Sequence, residues 1–145
     1  MQRFIRRWAI LEDWKIKISV LWLFAAVAYL SSWMLMLIEP GTIANVTAGK
    51  VEIFTKLEIF TITPATILLF AIIMLVPLVM AVLSLTLKGS VHRWANIIVG
   101  AVFAIVWFFD FVQAVAKLSA WTMLVDFSTI VALALIVWYA WKSKR

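Results

Sequence analysis

The chain has 145 residues, 66% of them hydrophobic, and a mean hydropathy of +1.09, whereas soluble domains carry only about 45–50% apolar residues, so a membrane protein of one domain is expected. Cysteine is absent, which excludes disulfides, thiolate metal sites and cysteine nucleophiles, and one histidine, His92, argues against a histidine-built metal centre. The net charge of +6 gathers at the ends of apolar runs, where basic residues orient helices and meet anionic headgroups, so a lipid surface rather than nucleic acid is the expected partner.

Residues 1–17 form a basic amphipathic segment. Phe4, Trp8 and Leu11 recur at helical spacing, with Arg3, Arg6, Arg7 and Lys15 pointing elsewhere. Two readings stand: a helix lying in the headgroup region, or a basic tail that only sets topology. A cleavable signal peptide is not expected, because the next apolar run is too long and ends without a cleavage site. That run, 18–38, has no charge and covers about 30 Å of hydrocarbon as a helix. Ala25, Ala26 and Ala28 offer it small contact surfaces, and Glu39-Pro40-Gly41 stops it.

The connection 39–63 contains a near-repeat, VEIFT at 51–55 and LEIFT at 57–61. Its six-residue offset fits neither helical nor strand periodicity. A short interfacial helix using Phe54, Leu57 and Phe60 competes with a β-hairpin, and the β-branched alternation favours the extended form. Thr63-Pro64 then starts a second span, 64–87, with a capping hydroxyl and a proline at the first helical position. Pro77 lies inside it and removes one backbone hydrogen bond, so a kink is expected, either static or a possible hinge. The polar turn 88–93 predicts that the second and third spans are antiparallel neighbours, with His92 solvated among headgroups.

The third span, 95–116, carries Gly100 and Ala104, a small-xxx-small pair suited to a helix contact, and Asn96, placed to bond carbonyls near the turn. Trp107 and Phe103 can line an apolar cavity or simply pack. The fourth span, 122–141, ends in an aromatic belt, Trp138-Tyr139-Ala140-Trp141, backed by Lys142. Ten of the thirteen Lys and Arg residues fall at the end that holds both termini. The positive-inside rule therefore predicts cytoplasmic termini in the inner (plasma) membrane, with 39–63 outside. The expected fold is an all-α integral membrane four-helix bundle of antiparallel spans.

Several of these pieces resemble a family of small prokaryotic four-helix membrane proteins of unknown function. They are Arg93-Trp94-Ala95-Asn96-Ile97-Ile98 with Gly100, Ile62-Thr63-Pro64, Pro77, and Ile136-Val137-Trp138-Tyr139-Ala140-Trp141-Lys142, with Lys17-Ile18-Ser19-Val20-Leu21-Trp22 and Glu39-Pro40-Gly41 in the same pattern. The resemblance spans the chain from about Lys15. It implies the four-helix architecture and supplies no catalytic residues. Members carry acids in the first span and just before the mid-helix proline, where this chain has Ser31, Ser32 and Val76.

The chemistry-bearing candidates are two intramembrane acids, Asp110 and Asp126. An ionised carboxylate in hydrocarbon costs roughly 2.5–3.5 kcal/mol on insertion scales, so each must be solvated, paired or protonated. Asp110 lies roughly 24 Å along its helix from Trp94, at a depth shared with Asp126, Ser31 and Ser32. Gln113 and Lys117 follow Asp110 on one helical face. This polar layer is read either as an outward site between the first, third and fourth spans or as structural hydrogen bonding. There is no phosphate loop, nucleophile elbow or metal motif, and no cofactor is expected, which argues against an enzyme. Two functions lead, ahead of an enzyme acting on a lipid-like substrate. One is a binding or assembly protein acting as a homo-oligomer or as a subunit of a membrane complex. The other is a small proton- or cation-coupled transporter or channel using Asp110 and Asp126.

Overall fold

The structure is a computed structural model that describes residues 2–52 and 59–143, with side chains described at 13–50 and 62–143. In chain order the elements are α1 (Gln2–Ile38), α2 (Thr42–Thr47), β1 (Lys50–Glu52), β2 (Ile59–Thr61), α3 (Pro64–Thr86), α4 (Gly89–Ala116) and α5 (Ala120–Lys142). Four helices are long and apolar enough to cross a membrane: α3, α4, α5 and the Asp13–Ile38 part of α1. They form the expected antiparallel bundle. The end with both termini is called the terminal end below, and the end with α2 and the strands the loop end.

Burial is arranged as a bilayer requires. Large apolar side chains face outward along all four spans, among them Val27, Leu68, Val82, Ile105, Phe109 and Leu124. The interior holds Ile18, Trp22, Met80, Trp107, Leu133 and Ile136, together with polar Ser19, Ser84, His92, Asn96, Asp126 and Thr129. In hydrocarbon a polar side chain gains by turning toward protein partners, and small residues let helices approach. Gly100 illustrates the second point. It is buried in α4, and a Cβ placed on it would stand 3.0 Å from Val137 Cγ2 and 3.9 Å from the Leu133 carbonyl. Gly100, with Ala104 nearby against the core, thus marks the crossing of α4 and α5 within one chain.

The packing order departs from the sequence expectation in one respect. α1 packs on α3 and α5, and α4 packs chiefly on α5, whereas α3 and α4 share few contacts although two residues join them. The turn is shorter than expected, because α4 begins at Gly89, whose φ of 62° lies in the left-handed region. A short connection forces two helices antiparallel but does not press them together.

Local chemistry sets the helix ends. Thr63 closes a capping box: its hydroxyl accepts from Thr66 N, and its own N–H donates to Thr66 Oγ1 at 2.7 Å, with Pro64 at the first helical position. α3 runs on through Pro77, whose side chain is fully buried. At the other end of α3, Lys15 Nζ of α1 donates to the Leu87 carbonyl at 3.1 Å. α4 ends in a Schellman turn, with Leu118 N donating to Val115 O and Ser119 N to Ala114 O. The left-handed position is held by Leu118 at φ 54°. At the terminal end the guanidinium of Arg93 sits between Trp94 and Trp141, 5.5 and 5.3 Å from their ring centroids. This is an aromatic-basic belt of the kind expected at a membrane interface.

The N-terminal segment and the long connection both differ from expectation. α1 is a single unbroken helix of 37 residues, so 2–17 continue the first span's helix. The side chains of Phe4, Trp8 and Leu11 lie outside the described residues. In the connection, Gly41 at φ 91° opens the unpredicted helix α2. β1 and β2 then pair antiparallel, Val51 opposite Phe60, which bears out the extended reading. Ile62 N donates to Gly49 O at 2.8 Å and prolongs the pairing. Phe54 and Leu57 lie outside the described residues.

Candidate functional site

The seam between α3 and α4 is closed at one end and open at the other. At the terminal end Asn96 of α4 is the junction. Its Oδ1 accepts from Trp22 Nε1 of α1 at 2.7 Å and from Ser84 Oγ of α3 at 2.9 Å. Its Nδ2 donates to the His92 carbonyl at 2.8 Å and lies 3.2 Å from His92 Nε2. All four side chains are buried. His92 is therefore not solvated among headgroups: it is enclosed by the turn, edge-on to Trp14 with ring centroids 4.7 Å apart. The carbonyl bond expected of Asn96 exists, and two further bonds tie it to α1 and α3.

Toward the loop end, the same two helices leave a cavity of about 380 Å³ between them, backed by α1. Helical periodicity builds each wall. Tyr29, Ser32, Trp33 and Met36 form one face of α1, and Phe103, Trp107, Asp110, Ala114 and Lys117 form one stripe of α4, while α3 supplies Phe70 and Ile73. The aromatic rings continue from helix to helix. Tyr29 meets Trp107 edge-on at 5.5 Å, Tyr29 meets Trp33 at 6.3 Å, and Trp33 meets Phe70 at 5.3 Å. Residues of α2, Lys50 and the α4–α5 turn surround the mouth. There Trp121 Nε1 donates to Glu39 Oε1 at 3.0 Å, fastening the start of α5 to the end of α1.

The polar candidates divide between this cavity and the packed interior. Asp110, Gln113, Ser32 and Lys117 line the cavity. Asp110 is half-buried, makes no hydrogen bond or ion pair within the described residues, and stands within electrostatic range of Tyr29, Lys117 and Asp126. Ser31 does not line it. Asp126 does not either: it is fully buried in α5, and among the described residues neither carboxylate oxygen has a hydrogen-bond partner. The cavity therefore has α1, α3 and α4 for walls. The second span takes the place expected of the fourth, and α5 adds only its first turn, Trp121 and Thr122.

Sequence reasoning missed Tyr29, Trp33 and Phe70. The signal for the first two was present, since Tyr29, Ser32, Trp33 and Met36 stand at i, i+3, i+4 and i+7. Phe70 carried none, because its role depends on how far α3 stands from α4.

Such an arrangement can enclose an apolar or aromatic body and offer it the carboxylate of Asp110 and the amide of Gln113 from α4, with Glu39, Lys50 and Lys117 nearer the mouth. No curated protein and no solved structure matches the chain. One family description does, a family of unknown function termed DUF6326, over residues 5–145. By that match across nearly its whole length, the chain belongs to the DUF6326 family.

Proposed function

We propose that this protein is a membrane-embedded binding protein that holds a small amphipathic molecule in the loop-end cavity. The observation that carries the reading is the cavity itself. At about 380 Å³ it falls within the range of ligand pockets, and its lining of aromatic rings with a few polar groups is the usual composition of one. A homo-oligomer or a larger membrane complex would have to be built on other faces than Gly100, which is already used between α4 and α5. The excess of basic residues at the terminal end supports a cytoplasmic location for both termini in the inner membrane, against anionic headgroups. On that orientation the cavity opens outward.

The test is saturable binding of 1-naphthalenemethanol to the purified protein. Ser32→Phe, which projects a ring into the cavity, is expected to abolish binding while the helical content is retained. Uptake that is unsaturable, or equal for both proteins, overturns the reading.

Asp126 favours a second reading, a proton- or cation-coupled transporter. A fully buried carboxylate without a hydrogen-bond partner among the described residues, in range of Asp110, is a group able to exchange a proton within the bundle. That reading expects ion flux in liposomes that Asp110→Asn and Asp126→Asn each abolish. Equal flux from either variant sinks it.

A further inference from the structure

From the placement of Asp110 we infer that the cavity selects a lipophilic amine: an organic ammonium on an apolar, preferably aromatic, body. The inference rests on the binding reading above and specifies its ligand class.

Among the described residues four charged side chains line the cavity, and they are not at one level. Glu39 follows the end of α1, Lys50 belongs to β1, and Lys117 caps the end of α4. These three are exposed at the mouth, where water screens them. Glu39 is also engaged by Trp121. Asp110 alone lies deeper, about 10 Å along α4 from Lys117 at the helical rise. Within the described residues it has no donor of its own. A carboxylate in such a place gains most from a cation brought by the ligand, because removal from water strengthens the attraction.

The neighbouring rings favour the same charge. Trp107 lies one turn below Asp110, with Tyr29 edge-on to it at 5.5 Å and Trp33 beyond. Aromatic faces carry negative potential, so they attract an ammonium and repel an anion. From Asp110 down to Phe103 is again about 10 Å along the helix. That length fits a bicyclic aromatic ring with one methylene between ring and nitrogen. An inorganic cation would leave the aromatic floor unused, and a neutral molecule would leave Asp110 without a partner.

The experiment compares three probes of one shape: 1-naphthylmethylamine, 1-naphthalenemethanol and 1-naphthoate. Binding is measured by equilibrium dialysis in maltoside micelles, which contain no ammonium. The amine is expected to bind at least about tenfold tighter than the alcohol, with the carboxylate weakest. Asp110→Asn should bring the amine down to the level of the alcohol, and Asp110→Glu should keep the preference. An amine no tighter than the alcohol, or a preference that survives Asp110→Asn, overturns the inference while leaving the binding reading intact. Failure of all three probes overturns the binding reading and the inference with it. Should Asp110→Asn lose the alcohol as well, Lys117→Gln decides. Removing that cation should widen the gap between amine and carboxylate affinities, and a gap that does not widen overturns the inference. Added phosphatidylethanolamine distinguishes the source of the amine. Competition assigns it to a lipid headgroup and no competition to a free amine, and either result supports the ligand class.

Discussion

Trp22 donates its indole N–H to the side-chain oxygen of Asn96 at 2.7 Å, joining α1 to α4 inside the terminal end of the bundle. Ser84 shares the same oxygen, so one amide holds three spans together. Asn96→Leu leaves the Trp22 and Ser84 donors without an acceptor in a buried place. The expected loss is about 2 kcal/mol, since interhelical bonds in membranes contribute about 0.6–2 kcal/mol each. Trp22→Phe removes one bond and should cost less. Reversible unfolding by sodium dodecyl sulfate measures both. A double-mutant cycle should show clear coupling between them, and additive losses would contradict a shared bond.

Gly100 offers a different kind of test. Its missing Cβ is what leaves room for Val137, whose Cγ2 would stand only 3.0 Å from a Cβ placed there. Gly100→Leu should separate α4 from α5 and destabilise the fold by about 3 kcal/mol, as overpacking does. Gly100→Ala costs much less, because Val137 can yield a few tenths of an ångström and alanine favours the helix. Val137→Ala should restore part of what Gly100→Leu loses. The contact lies within one chain, so the unfolding midpoint should not depend on the protein-to-detergent ratio. A midpoint that moves with that ratio would show that the glycine also serves an interface between copies.

Leu118 occupies the left-handed position of the α4–α5 turn, which glycine takes at little cost. For a residue with a Cβ that conformation costs about 1–2 kcal/mol. The side chain is 83% exposed, so it contributes little packing in return. Leu118→Gly is expected to raise stability by up to about 1 kcal/mol after the added freedom of the unfolded chain is counted. Thermal unfolding checks it, and a lower midpoint would contradict the strained turn.

Asp126 is buried, and both its carboxylate oxygens are unpartnered among the described residues. Exchanging such a group for a similar apolar one removes a desolvation penalty and creates no orphaned partner. Asp126→Leu should therefore be neutral or stabilising by about 1–3 kcal/mol. A marked loss of stability would show that the acid has a partner in the membrane-embedded protein.

These residues also show how far the sequence could be read. The four spans follow from length and apolarity, and the start of α3 from Thr63-Pro64, because those signals are local. Asp110, Gln113 and Lys117 were placed on one face by helical spacing alone, and Ser32 by depth. What spacing cannot supply is the neighbour across the bundle. Asp126 and Asp110 share a level, yet one lies in the packed interior and the other in the cavity, because α4 turns one face to α5 and another to α3. His92 misled for a similar reason. It stands in a run of polar residues that looks like a solvated turn, but α4 begins three residues before it and the packing of α1 encloses it. The near-repeat in 39–63 signalled strand pairing and said nothing of α2, which follows from Gly41 redirecting the chain.

The sparse contact between α3 and α4 bears on the order in which the bundle is built during synthesis. A helical hairpin joined by two residues would ordinarily be a folding unit. Here α3 finds its main partner in α1, which precedes it, whereas α4 has to wait for α5, which follows it. The nascent protein thus makes one helix pair early and a second only when its last span has been inserted. The contact of α1 with α5 then joins the halves. Until that moment the buried amide of Asn96 has two donors already in the membrane, Trp22 and Ser84, and with the ring contacts Trp14–His92 and Tyr29–Trp107 they hold α4 beside the first pair.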